Sequence, residues 1–292
     1  MSHRTQFDYV MTAKVRLLLF WVGKDDVGGG YIRFGETGDE SRLEAIDLLF
    51  GSDPGKAPRK INRWGAASEV IQKDNGNGPS SGSAFFGFMK ASKGASVSEM
   101  KTELSNEQEK KQFYFEAILS RVDSDGAVSR TVPFYSNEDL NLHQFDHAEA
   151  LVMEKLSNAP MKMRQMDRSQ KGCDGDQGFL FTLNRMMLEA LSGKKAPRMV
   201  CYIYNARRYT VTLQEATPVK EKTAHYKLHG QEKETTKTYR DLMFSRFDVW
   251  NSESGEHSNF EVYFGASDPL KGVPIQFTYQ PNWWFKVILN LL

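Results

Sequence analysis

Short runs in which apolar and polar residues alternate recur along this chain, and they constrain its fold more than any other feature. The first run places an apolar residue at every second position: Tyr9, Met11, Ala13, Val15, Leu17, Leu19 and Trp21. A period of two is typical of a β-strand with one buried face. We therefore predict a long strand over residues 9–22, and such length favours a curved sheet or a barrel.

About ten runs of this kind follow one another at regular spacing, as in antiparallel β proteins. The clearest are the last two, in which Ile275, Phe277 and Tyr279 share one face and residues 283–291 alternate again. The strands at 9–22 and 283–291 each offer an apolar face that needs cover, so we predict that they belong to one sheet. Strictly alternating βα units are absent, which disfavours a Rossmann-like sheet.

The hydrophobic period changes in the middle of the chain. One helix is predicted after the capping cluster Ser136–Asp139, reaching about Ser157, and a second over about Gln177–Leu191, before Gly193. The predicted class is therefore α+β, a large curved or barrel-like antiparallel β-sheet with a helical insertion. The expected division is an N-terminal β region at 1–135, a helical segment at 136–195 and a C-terminal β region at 196–292, with the two β regions forming one composite domain.

Charge and hydropathy exclude several partners. The chain has 38 Lys+Arg and 37 Asp+Glu, a net charge of +1, and this balance gives no electrostatic footprint for nucleic acid. The apolar stretch at 17–22 is far shorter than the roughly 20 residues of a spanning helix, so we expect no membrane-spanning segment.

The two cysteines, Cys173 and Cys201, form either one disulfide or two free thiols.

Motifs for common chemistries are missing. No serine has the glycine spacing of a nucleophile elbow. Gly28–Gly30 lacks the Lys-Ser/Thr of a phosphate loop and is expected to form a hairpin turn. We expect no cofactor, and a non-enzymatic protein is favoured. The alternative enzyme is a hydrolase of unfamiliar pattern with carboxylates such as Asp25, Asp26 or Glu69 at a pocket mouth.

Two histidines suggest a second alternative, a metal-binding protein. His143 and His147 are four residues apart on the predicted first helix, a spacing that puts both imidazoles on one face. That face lies opposite the apolar stripe, which also fits an ordinary surface pair.

Large aromatic side chains gather on the C-terminal strands and can line an apolar pocket or fill a core. The candidate ligand-binding residues are Trp283, Tyr279, Tyr204 and Tyr209. Trp283 is expected to point inward because it shares a face with Phe285, whereas Trp284 faces outward with Lys286.

Several segments carry a family resemblance: Phe50–Pro54, Lys60–Gly65 with Glu69, Gly178–Leu180, and Val273–Ile275 with Gln280–Trp284. Together they resemble an uncharacterised family of exported bacterial proteins, and the C-terminal third is similar to periplasmic β-barrel domains of unknown function. The resemblance implies export and an antiparallel barrel-like scaffold, and it implies no activity. A signal peptide is not recognisable, because Gly23–Asp26 stands where a cleavage site would follow.

The expected function is therefore a non-enzymatic binding or scaffold protein of the cell envelope, with an apolar small molecule as the partner considered. The expected location is periplasmic or extracellular, with the cytoplasm as the alternative.

Overall fold

The computed structural model describes residues 4–17, 20–37, 43–72, 82–91, 113–158, 161–167, 178–193, 198–251 and 253–292. Its described strands form one antiparallel sheet of fourteen. They are β1 (Arg4–Leu17), β2 (Phe20–Thr37), β3 (Leu43–Ser52), β4 (Trp64–Gln72), β5 (Ser83–Ala91), β6 (Phe113–Asp123), β7 (Gly126–Ser136), β8 (Lys162–Asp167), β9 (Arg198–Tyr204), β10 (Arg207–Tyr226), β11 (Thr235–Trp250), β12 (His257–Gly265), β13 (Pro274–Asn282) and β14 (Phe285–Leu291). The two α-helices described are α1 (Phe145–Asn158) and α2 (Phe179–Leu191).

The first and last strands lie side by side in the middle of the sheet. The strand order is β8-β7-β6-β5-β4-β3-β2-β1-β14-β13-β12-β11-β10-β9. Tyr9 lies opposite Leu291 and Val15 opposite Phe285, which confirms that the two ends of the chain share one sheet. The single strand predicted at 9–22 is wrong, because β1 ends at Leu17 and β2 begins at Phe20.

The protein is mostly β, so the predicted α+β class holds only approximately. The segment 136–195 contains strand β8 as well as both helices. The first helix begins later than predicted, at Phe145, after a short 3-10 turn at Leu142–Gln144 that Asn141 caps. No helix in the described part of the chain is long and apolar enough to cross a membrane.

The glycine run at 28–30 lies inside β2 rather than in a turn. Gly28 pairs with Ser52 and Gly29 with Gly51. A Cβ at Gly28 would collide with the Gly51 carbonyl oxygen, so these strands approach at a point that only glycine permits.

The two ends of the sheet overlap without pairing. As far as the structure describes them, β8 and β9 are not hydrogen-bonded to each other, so the sheet is open. Buried side chains from β6–β8 instead pack against the β9–β10 hairpin: Val122, Ala127, Met166, Ile203 and Ala206. The Ser129 hydroxyl also donates to Asn205 Oδ1 at 2.5 Å. The sheet therefore curls until one end covers the other.

The helices pack on opposite faces of the N-terminal strands. Leu49 of β3 belongs to a core that includes Ala148 and Val152 of α1. The next residue back, Leu48, faces α2 with Ile46, because successive strand residues point to opposite faces. Helix α2 also packs against β9–β12, so it lies between the two halves of the curled sheet.

Cys201 on β9 forms a disulfide, which decides between the two alternatives for that cysteine. Cys173 lies outside the described residues.

Candidate functional site: an apolar cavity beside helix α2

Helix α2 forms one wall of a cavity of about 200 Å³, which we call the α2 cavity. The helix contributes Phe179, Leu180, Leu183, Asn184 and Met187. Strands from both halves of the sheet supply the other walls: Tyr9, Ile32, Phe34, Ile46, Leu48, Phe50, Phe247, Phe260, Val262, Pro274, Phe277 and Leu289.

The α2 cavity is almost free of polar groups. Asn184 is the one lining residue with an amide side chain. The hydroxyl of Tyr9 already has a partner in the protein, because it donates to the Pro274 carbonyl at 2.8 Å. Burial raises the pKa of Tyr9, so this phenol stays neutral. An apolar interior of this kind favours an apolar guest over water.

A second pocket of about 490 Å³, the tyrosine pocket, adjoins the α2 cavity. The two spaces share five lining residues: Leu48, Phe179, Leu180, Phe260 and Phe277. The structure brings three predicted ligand-binding residues together here, namely Tyr204, Tyr209 and Tyr279, and adds Tyr202.

The tyrosine rings form a packed group. Tyr202 and Tyr209 stack with ring centroids 5.4 Å apart, and Tyr204 meets Tyr209 edge-on at 6.1 Å. The Tyr209 hydroxyl donates to Glu256 at 3.1 Å. Burial raises the pKa of Tyr202 and Tyr204, so the pocket presents neutral phenols beside apolar surface.

Trp283 does not lie with the other predicted ligand-binding residues. It falls in the turn between β13 and β14 and is 67% exposed, and Trp284 beside it is also exposed. The expected inward orientation of Trp283 is wrong, because the turn lies later than predicted and residues 283–284 stand outside the strand alternation.

His143 and His147 each contact a different carboxylate. His143 Nε2 lies 3.1 Å from Asp53 Oδ2, and His147 Nε2 lies 2.9 Å from Glu138 Oε2. Since α1 begins after His143, the two imidazoles do not share one α-helical face as predicted. The described residues contain no group of three or more ligands placed to hold a metal ion.

Asp25 and Asp26, two of the carboxylates considered for a hydrolase, form hydrogen bonds that hold the fold together. Asp25 accepts from the Lys227 N–H at 3.1 Å, and Asp26 accepts from the His229 N–H at 2.8 Å. Both bonds tie β2 to the β10–β11 hairpin. Glu69 is fully buried rather than at a pocket mouth.

Glu69 positions the helix that lines the cavity. Its Oε1 accepts from the Gly178 N–H and its Oε2 from the Leu180 N–H, each at 2.7 Å. These are N–H groups that the start of a helix leaves without partners, and a negative charge there also complements the helix dipole. Burial raises the pKa of Glu69, while the bonds from Leu180 and Gly178 lower it in part.

Sequence reasoning missed this contact and the role of α2 in the cavity. The available signal was that α2 is apolar on most of its surface, which predicts a helix enclosed by other elements. Its partner could not be predicted, because Glu69 and Gly178 are 109 positions apart.

Comparison with known proteins adds one structural likeness. No protein-family model and no curated protein matches the chain. A crystal structure of a beta-barrel-like protein from Brucella abortus, described as a domain of unknown function, DUF1849, is similar over 98% of this chain and 96% of that chain. The identity is 9% and the TM-score is 0.34, values too low for the likeness to support an assignment. The architecture described above therefore rests on the strand pairing alone.

Proposed function

We propose that this protein binds an apolar small molecule in the α2 cavity and the tyrosine pocket, without catalysing a reaction. The observation that carries the proposal is the continuous lining of apolar and aromatic side chains between α2 and the curled sheet. Ligand sites are usually concave and mostly apolar, with a few polar groups that orient the ligand.

The dimensions fit a small apolar guest. An engineered apolar cavity of about 150 Å³ stays dry and binds benzene, and the α2 cavity is somewhat larger at about 200 Å³. The adjoining tyrosine pocket can take the remainder of a longer molecule.

The polar groups suggest how the ligand is oriented. The apolar part occupies the α2 cavity, and a weakly polar end lies among Tyr204, Tyr209 and Tyr279. Neutral phenols donate and accept hydrogen bonds while their rings keep an apolar surface. An uncharged or hydroxyl-bearing end group therefore suits the tyrosine pocket better than a strongly charged one.

We also propose that the protein acts outside the cytoplasm. The disulfide of Cys201 supports this, because stable disulfides are characteristic of oxidising compartments. Fractionation of the native host tests this part separately, and recovery of the protein with cytoplasmic markers would contradict it.

Displacement of a fluorescent dye tests ligand binding. Anilinonaphthalene sulfonate bound to the purified chain should be displaced saturably by fatty alcohols of graded length. Leu183→Trp fills the α2 cavity and should weaken binding at least about tenfold, since an overfilled apolar site loses its guest. The matched control is Met199→Trp, at a side chain that is 70% exposed on β9 and lines neither space.

Equal affinities for the two tryptophan variants, both with wild-type unfolding behaviour, would contradict the proposal. So would native mass spectrometry of protein from its own host and titrations with apolar compounds that both show no bound molecule.

A further inference from the structure

Two hairpin ends lie next to each other at one end of the sheet. Val15 of β1 pairs with Val22 of β2 on one side and with Phe285 of β14 on the other. The Arg16 N–H donates to the Trp284 carbonyl at 2.8 Å. The ends of the β1–β2 and β13–β14 hairpins therefore form one surface, which we call the paired tips: Val15, Arg16, Phe20–Val22 and Trp283–Phe285.

The paired tips expose large apolar side chains. Phe20 is 75% exposed, Trp283 67%, Val22 54% and Trp284 46%. Single exposed apolar residues are ordinary, but a contiguous group on neighbouring turns marks an interaction surface. These side chains project from hairpin ends and do not line a groove. They are therefore suited to insertion into a deformable surface such as a lipid bilayer.

Cations lie on the same strands as the paired tips, on the opposite face of the sheet from Val15, Phe20 and Val22. Lys14 lies directly opposite Lys286 across β1 and β14, a like-charged pairing that is unfavourable in isolation. In the described part of the chain neither lysine forms an ion pair. The Lys286 ammonium instead lies 4.3 Å from the centre of the Trp21 ring. Farther along β2, the Lys24 ammonium donates to the Lys56 carbonyl at 2.6 Å.

The local charge differs from the charge of the whole chain. The net charge is only +1, yet Lys14, Arg16 and Lys286 gather at this one end. Burial and then the charge of Lys14 lower the pKa of Lys286, and the charge of Glu261 opposes this in part. Glu261 itself pairs with Arg246 at 3.1 Å.

We propose that the paired tips bind the surface of a bilayer that carries anionic lipid headgroups. Tryptophan rings prefer the interfacial region of a bilayer, where an apolar body and a polar N–H are both accommodated. Lysine and arginine on the neighbouring face of the strands are attracted to anionic headgroups, so both kinds of side chain meet the bilayer when the tips approach it end-on. Occupancy of the α2 cavity is not required.

Vesicle sedimentation of the full chain tests this proposal. The chain should sediment with vesicles of phosphatidylcholine and phosphatidylglycerol, and much less with phosphatidylcholine alone. Added salt should weaken the binding, because it screens exposed charges. Tryptophan emission should shift to shorter wavelength on binding.

Two variants separate the contributions. Phe20→Ser with Trp283→Ser should remove most of the binding. Lys14→Gln with Lys286→Gln keeps the exposed aromatic side chains and should lower the partition coefficient about fivefold for each lysine. The matched controls are Trp250→Ser, at a 51% exposed ring on β11, and Lys233→Gln with Lys237→Gln. These controls should bind like the wild type.

Binding that is equal with and without phosphatidylglycerol, or that is unchanged in both tip variants, would overturn the proposal. A dimer in sedimentation velocity that Phe20→Ser with Trp283→Ser disperses, together with absence of vesicle binding, would instead assign the paired tips to a second copy of this chain.

Discussion

The carboxylate of Glu69 lies against the bare Cα of Gly178. Its Oε1 accepts from the Gly178 N–H at 2.7 Å, and a Cβ at residue 178 would clash with that oxygen. The residue before α2 must therefore lack a Cβ for the carboxylate to reach the first N–H groups of the helix.

Gly178→Ala should destabilise the protein by about 1–3 kcal/mol, because the methyl group displaces a buried carboxylate from its donors. Denaturant unfolding measures the change. Gly55→Ala is the control, since its Cβ would meet only one carboxylate oxygen of Asp53, at 3.2 Å, and the cost should stay within about 0.5 kcal/mol. An equal loss of unfolding free energy in Gly178→Ala and Gly55→Ala would show that the structure relieves the clash at Gly178 without cost.

Glu69→Gln should change how stability depends on pH. Because burial raises the folded-state pKa of Glu69, its contribution is fully present below the unfolded pKa and is lost as pH rises through the folded pKa. The wild type should therefore gain unfolding free energy relative to the glutamine variant as pH falls from neutrality through that window. Paired denaturant titrations at several pH values measure the difference, and a constant difference would contradict this assignment.

Lys90 and Asp139 should respond unequally to substitution. The Lys90 side chain is almost completely buried and pairs with Asp139, which is half exposed. Burial lowers the pKa of Lys90, and Asp139 partly opposes this. Asp139→Asn leaves a buried ammonium without its counterion and should cost about 1–3 kcal/mol, whereas Lys90→Met should cost less. Thermal unfolding of both variants and of their combination checks the order of the two effects.

The histidine pair can be tested for metal binding directly. His143→Ala with His147→Ala should change the unfolding free energy by no more than about 0.5 kcal/mol, since both side chains are exposed. Calorimetric titration with Zn²⁺ supplies the decisive readout. Stoichiometric binding by the wild type that this double variant abolishes would establish the metal-binding alternative.

The way in which Asp53 makes stability depend on pH gives a related control for the pair His143 and His147. Burial raises the pKa of Asp53, but hydrogen bonds from His143 and the Gly55 N–H outweigh it, and the pKa is lowered overall. Any stability that Asp53 contributes is therefore lost as pH falls through its folded pKa, and His143→Ala should reduce that loss.

The sheet was predictable where alternation and turn residues agree. Ile275, Phe277 and Tyr279 alternate with polar residues, and they lie on β13 as expected. The hairpin between β1 and β2 was not predicted, because apolar residues run through it without glycine, proline or asparagine. Strand β8 was missed because Lys162–Asp167 is short and largely exposed at the end of the sheet.

The candidate site was predictable in its chemistry and only partly in its geometry. Tyrosines on the C-terminal strands do gather in one pocket. Trp283 was misplaced because a shift in the turn changes which side chains follow the strand period. The placement of α2 depends on contacts between distant segments, such as Glu69 with Gly178, which no local pattern encodes.

The pairing of β1 with β14 determines when this protein can finish folding. Tyr9 and Leu291 face each other in the middle of the sheet although nearly the whole chain separates them. Closing so long a loop is entropically costly, and folds dominated by such distant contacts form slowly. During synthesis, the edge of β1 that pairs with β14 stays without its partner until β14 has emerged. Chaperones that shield exposed strand edges should therefore act on this chain late, at the stage when only β14 is missing.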